Sequence, residues 1–303
     1  MERVGAWVLW AGAAVIAACL IATVAAAGTS WIDTRGLVFL VWMCWAPAAV
    51  GIALAALLPP DRGRTELDDR VALALRGHLL GRELIRLLLC LVAFPVGAVL
   101  LARLFGVFDD ALYVLGAPVA RAVFLGLLPV LLVDRAGQLR VGRVSQMQVL
   151  AVRVGEAWRW WGAVPAAAAL AVVVQYRWPA LTGLDAAQLL LGALAVLLVV
   201  ALPEEIFFRF LLQTRLEAVL GRGAGIVLVA LLFAASYAAL DGYADFFRLD
   251  AHAAGGDYAV SVAAYGVLGL CYGYLWARYR NIWLNVALRT GLLTALVGPA
   301  IAM

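Results

Sequence analysis

The chain of 303 residues contains no lysine and only two histidines, His78 and His252. Charged residues of either sign make up 14% of it, against roughly a quarter in soluble domains. Its four cysteines are Cys19, Cys44, Cys90 and Cys271. Each sits in an apolar run, without CxxC spacing or a nearby histidine, which excludes a disulfide framework and a zinc-type site. They read as buried small hydrophobes, and no cofactor or metal is implied. There is no strand-like alternation, no internal repeat and no stretch polar enough for a soluble domain. The net charge of +4 is carried by arginines at the ends of apolar runs. That suits an anionic inner leaflet and gives no reason to infer nucleic acid. Arginine to the exclusion of lysine suggests a GC-rich genome, and hence a bacterial inner membrane.

What is abundant is apolar surface. Hydrophobic residues form 66% of the chain, more than a soluble core can hide, so the bilayer is the solvent. About nine runs reach spanning length: 5–27, 37–58, 87–105, 111–133, 158–174, 186 into 203–209, 225–240, 258–276 and 282–302. A spanning segment must satisfy its backbone internally, so the expected fold is an all-α, polytopic membrane helical bundle. Residues 1–185 read as N-terminal transmembrane helices of unassigned role, and 186–303 as a core. The first run could be a signal peptide ending near Ala27, but its length favours an uncleaved span.

The connections sort by charge. Arg62, Arg64, Arg70, Arg76, Arg82 and Arg86 lie in the second; Arg135, Arg140, Arg143, Arg153 and Arg159 in the fourth. Arg215 and Arg222 lie in the sixth, Arg278 and Arg280 in the eighth. Odd connections carry aspartates, from Asp33 to Asp257. Arginine excess marks the cytoplasmic side, which places the N-terminus inside. Trp158, Trp160, Trp161, Trp178, Trp276 and Trp283 lie near span ends and read as an interfacial belt. The 134–159 connection fits an amphipathic surface helix or an ordinary loop.

Against this background PEEIFFRFLLQ, from Pro203 to Gln213, places three ionisable groups inside a span. Intramembrane charge is costly and is a functional candidate by default. The candidates are Arg121, Glu204, Glu205, Arg209 and Arg289. At about 1.5 Å rise per residue, Glu204 and Glu205 lie roughly 15 Å deep, Arg289 roughly 10 Å, and Arg121 and Tyr237 roughly 18 Å. Similar depth on four helices suggests one buried polar site. Glu205 and Arg209 stack at i,i+4 with Gln213 on the same face, while Glu204 points about 100° away. One carboxylate is then neutralised and the other can act as a base on water. Alternatively all five charges form a pairing network, Glu204 with Arg121 or Arg289 and Glu205 with Arg209.

EEIFFR resembles the EExxxR signature of the CAAX protease and bacteriocin-processing family, the glutamic intramembrane endopeptidases. Phe233 opens FAASY, similar to that family's FxxxH motif. GLCYGYLWARYRNIWLNVALR is similar to its final segment, and the resemblance covers 186–302. It implies that Glu204 and Glu205 activate water for peptide-bond hydrolysis near the cytoplasmic face, with Arg209 as the motif arginine. It places Tyr237 and Arg289 where histidines are expected, and Leu293 where Asn or Asp is expected. His78 and His252 fall in connections on opposite sides. Tyr237 could donate a hydrogen bond, and Arg289 could serve an oxyanion as a fixed cation. The resemblance further implies a hydrophobic or membrane-anchored peptide substrate, with processing or immunity roles toward small peptides. Two other functions remain open: a non-catalytic pseudoprotease that binds a membrane partner, and a transporter, against which stands the lack of an inverted repeat.

Overall fold

A computed structural model of the chain describes residues 2–28, 34–58, 63–135, 151–240 and 254–301. Among them every regular element is helical. The helices are named here as α1 (Glu2–Ala25), α2 (Thr34–Leu57), α3 (Gly63–Ala74), α4 (Leu80–Phe108) and α5 (Leu112–Val133). Then follow α6 (Ala157–Leu181), α7 (Ala186–Leu220), α8 (Arg222–Leu240), α9 (Tyr258–Tyr279) and α10 (Ile282–Ile301). Eight of these are long and apolar enough to cross a membrane, and α10 contains a shorter apolar run. The chain is a multi-pass membrane protein of about nine spans, in agreement with the apolar runs. The polar α3 is not one of them. Apolar side chains on the outside, such as Leu89 and Val92 on α4 and Leu190 and Leu191 on α7, face where lipid would be.

Local chemistry sets the helix ends. Asp185 and Gln188 form a reciprocal capping box at the start of α7, which satisfies two otherwise orphaned backbone donors. Gly221, at φ 88°, ends α7 in a conformation that glycine adopts freely. The turn between α9 and α10 uses Arg280 at φ 47°, an unusual place for a side chain with a Cβ. Its guanidinium pairs with Glu217 and lies 5.6 Å from the Trp276 ring, while its carbonyl accepts from Arg159 Nη2 at 2.5 Å. Those contacts hold the turn in place. Small residues bring α8 and α9 together: a Cβ on Gly269 would sit 2.9 Å from the Ala230 Cα, the kind of approach that membrane helices use where no hydrophobic effect drives them together.

Among the described residues six stretches are π-helical, with i→i+5 hydrogen bonds: Val41–Trp45, Arg121–Leu127, Val130–Arg135, Leu197–Ala201, Ile206–Gln213 and Val262–Gly266. Such bulges gather at functional sites. Here they carry Cys44, Arg121, Arg209 and Tyr265, all near the buried polar cluster.

Side-chain contacts bring the even-numbered connections to one face. Arg70 reaches Glu156 at 2.6 Å, Arg222 reaches Asp68 at 2.6 Å, and Arg159 donates to the Tyr279 carbonyl at 2.9 Å. Arg278 donates to the Leu58 carbonyl. One expectation needs correction. Trp276 is fully buried and donates to Thr214 Oγ1 at 3.3 Å, so it is not part of an interfacial belt. Arg159, Arg215, Arg278 and Arg280 are buried too, and each donates to a carboxylate or a carbonyl. Of the 134–159 connection, residues 136–150 lie outside the described residues, so an amphipathic helix there has no structural counterpart to compare. His252 also lies outside them.

Candidate functional site

The span α7 delivers both glutamates on a short α-helical stretch, Leu202–Glu205, directly before the π-helical Ile206–Gln213. Glu204 points toward α5, α8 and α10. Its Oε1 accepts from Arg121 Nε at 2.9 Å. Its Oε2 accepts from the Tyr237 hydroxyl at 2.5 Å and from Arg289 Nη2. Glu205 faces Arg289 Nη1 at 3.4 Å and Arg209 Nε at 3.6 Å, and its Oε2 makes no hydrogen bond. Glu204, Glu205, Arg209, Tyr237 and Arg289 are all at most 3% exposed, and Arg121 is 5% exposed. The six positions singled out in the sequence, Arg121, Glu204, Glu205, Arg209, Tyr237 and Arg289, are thus brought together.

Aromatic rings form the rest of the shell. The Arg289 guanidinium lies 4.6 Å from the Phe233 ring centre and 5.6 Å from that of Tyr272. Arg209 lies 5.6 Å from Phe233 and 5.7 Å from Tyr272. Arg121 lies 5.6 Å from Phe94. Ring faces offer partial negative charge to cations in a dry site, which offsets part of their desolvation. No sequence signal marked Phe94 or Tyr272, because aromatics in apolar runs are ordinary.

The i,i+4 stack continues downward as a polar chain. Arg209 Nη1 donates to Gln213 Oε1 at 3.3 Å, and Gln213 Nε2 donates to Glu217 Oε1 at 2.7 Å and to the Gly273 carbonyl at 2.8 Å. Glu217 pairs with Arg280, whose carbonyl binds Arg159; Arg159 pairs with Glu156 at 3.0 Å, and Glu156 with Arg70. Burial works against the charge of Glu156, but hydrogen bonds from Arg159 and Arg70 hold its carboxyl below the usual carboxylate range. A separate pair sits beside this chain: Arg215 Nε meets Glu83 Oε2 at 2.6 Å, and His78 Nδ1 lies 2.8 Å from Glu83 Oε1. His78 is therefore engaged near the arginine-rich face and is no substitute for a motif histidine.

Next to the cluster lies a cavity of about 30 Å³, room for a water or two. Tyr237, Tyr265, Tyr272 and Arg289 supply its polar wall. Leu268, Leu292, Leu293 and Leu296 supply much of the apolar wall. Neither glutamate lines it. The two residues found where histidines were expected therefore stand between the cavity and the carboxylates. Leu293, found where Asn or Asp was expected, presents an apolar side chain. Asn285, one turn before Arg289, is buried and donates to the Tyr272 carbonyl at 2.9 Å instead. Among the described residues no group of three or more His, Cys, Asp or Glu is placed to hold a metal ion.

Residues 186–292 match the family described as Type II CAAX prenyl endopeptidase Rce1-like. The match covers EEIFFR, FAASY and the Arg289 segment, and supports membership of the CAAX protease and bacteriocin-processing family. No curated protein and no solved structure matches the chain.

Proposed function

Starting from a membrane protein whose 186–292 segment is of the CAAX-protease type, we propose a non-hydrolytic member of that class. Residues 186–303 form its core and 1–185 flank it. It holds a hydrophobic or membrane-anchored peptide, or a segment of a membrane protein, at the cavity beside Arg289. One observation carries this reading. Both oxygens of Glu204 are occupied by donors from Arg121, Tyr237 and Arg289, and the cavity offers water a phenol and a guanidinium in place of a carboxylate. A guanidinium cannot accept a proton, and a neutral phenol is a poor general base.

A second reading rests on Glu205. Its Oε2 has no hydrogen-bond partner, and its two arginines stand at 3.4 and 3.6 Å. Glu205 would then be the base, with Arg289 as the oxyanion's cation. The two readings separate in membranes incubated with fluorogenic apolar peptides, prenylated and unprenylated. Membranes holding the wild-type chain should cleave no more than membranes lacking it. The triple change Tyr237→His, Arg289→His, Leu293→Asn should raise cleavage above that background. Wild-type hydrolysis that disappears in Glu205→Gln would establish the peptidase instead.

For orientation, we propose the inner membrane with the N-terminus and every even connection in the cytoplasm. The arginine bias supports this, as do the ion pairs that join those connections. Single cysteines placed at Arg76 and at Gly183 should respond oppositely to an impermeant maleimide added outside intact cells. Gly183 should label and Arg76 should not; labelling at Arg76 would reverse the orientation.

A further inference from the structure

We infer that the start of α4 holds the phosphate of an anionic phospholipid, whose acyl chain lies along the same helix. Most arginines on the face where the even connections meet are spent on carboxylates. Arg70 pairs with Glu66 and Glu156, Arg159 with Glu156, Arg215 with Glu83, Arg222 with Asp68, and Arg280 with Glu217. Arg82 and Arg86 differ. Both are exposed, and among the described residues no carboxylate pairs with either. Glu83, next to Arg82 in the chain, turns inward to Arg215 and His78. The outer side of the helix is left with cations alone. Arg82 and Arg86 share that side as an i,i+4 pair. Arg86 is also held in place: its Nη1 donates to the Leu132 carbonyl of α5 at 2.8 Å. Its guanidinium is thus fixed where α4 meets α5 before any ligand arrives.

The surroundings select the ligand. Ile85, Leu89, Val92 and Val96 are exposed and continue the arginine side of α4 at helical spacing. From Ile85 to Val96 the stripe runs about 17 Å, close to half of a bilayer's apolar thickness of about 30 Å. Leu131 and Leu132 add exposed apolar surface at the neighbouring end of α5. A phospholipid fits both parts of this surface. Its phosphate oxygens accept charge-assisted hydrogen bonds from guanidinium groups, and its acyl chain covers the stripe below. A soluble phosphate would leave the stripe uncovered. A zwitterionic phospholipid also brings a phosphate, but its ammonium adds a third positive charge beside two arginines. The headgroup's net charge therefore decides. The inference is independent of whether the chain cleaves peptides.

The test is native mass spectrometry of the purified full chain in neutral detergent. Phosphatidylglycerol and phosphatidylcholine with the same acyl chains are added together. Retention of phosphatidylglycerol is expected, preferred by about ten-fold, as two arginines at a membrane surface allow. The double variant Arg82→Gln, Arg86→Gln should lose that preference. Arg76→Gln with Arg153→Gln removes the same charge from two exposed arginines of the same face outside α4, and should keep it. Thermal unfolding checks that both double variants fold. Arg82→Gln alone, which leaves the bond to Leu132 intact, decides the matter if the first does not. Glycerol 3-phosphate, which has no tails, should fail to displace the lipid at equal concentration; displacement would assign the arginines to a free phosphate. Equal retention of the two lipids overturns the inference. Equal loss of preference in both double variants also overturns it, because a diffuse surface attraction would then account for the binding.

Discussion

Glu204→Gln is expected to cost about 3 to 5 kcal/mol of stability, the penalty for breaking a buried ion pair by removing one partner. The change deprives Arg121 and Arg289 of the carboxylate they share. The reverse deletion is milder. In Arg289→Gln, Glu204 keeps Arg121 and Tyr237, and Glu205 keeps Arg209. The loss is then nearer that of hydrogen bonds to charged groups, about 1.5 to 3 kcal/mol. The double variant Glu204→Gln, Arg289→Gln should recover much of what Glu204→Gln loses, because neighbours in one network are not additive. Thermal unfolding in a single detergent measures all three. Equal losses from the two single changes would mean that the cluster does not share its carboxylate as described.

Glu83→Ala is the second large effect expected, again about 3 to 5 kcal/mol. Glu83 and Arg215 side chains are 7% and 3% exposed and meet at 2.6 Å, tying α4 to α7. The comparison is Glu66→Ala. Glu66 and Arg70 also form a short pair, but their side chains are 66% and 41% exposed. An exposed pair contributes about 0.2 to 1 kcal/mol and is screened by salt. Both substitutions remove a glutamate from an arginine, but Glu83→Ala leaves Arg215 buried without a carboxylate and also removes the partner of His78, whereas Arg70 keeps Glu156 and its exposure to solvent. If Glu83→Ala unfolds within about 1 kcal/mol of wild type, the burial of this pair is not what stabilises the α4–α7 contact.

The apolar runs were legible because a bilayer imposes a length that composition reveals directly. The buried cluster was legible for the converse reason: Glu204, Glu205, Arg209 and Arg289 interrupt runs where charge is rare. Both pairings foreseen for Glu204, with Arg121 and with Arg289, occur together. Pattern could not show that Arg289 would also reach Glu205, since that depends on how α10 packs against α7. The pairs Glu83–Arg215 and Glu217–Arg280 were hidden differently. They lie at span ends, where charged residues look solvated, and only the packing of the connections against one another buries them. Trp276 misled for the same reason. Its position at a span end is that of a belt residue, but Thr214 and Arg280 close over it. The resemblance to a protease family was carried by spacing. The altered chemistry was carried by two substitutions, Tyr237 and Arg289, whose position between cavity and carboxylates needs three dimensions to see.

The π-helical stretch from Ile206 to Gln213 bears on how this chain should be aligned with others. An i→i+5 turn accommodates a residue that an α-helix of the same length has no place for. Thr214 Oγ1 reaches the Arg209 carbonyl across that wider turn at 3.2 Å. A chain that lays its α7 along the same path with α-helical geometry would therefore be shorter here. A gap placed after the motif arginine would record that difference in winding. Closing the gap to keep the helix continuous would set Gln213 and Glu217 against the wrong partners and hide the polar chain that leads from the glutamates to the arginine-rich face.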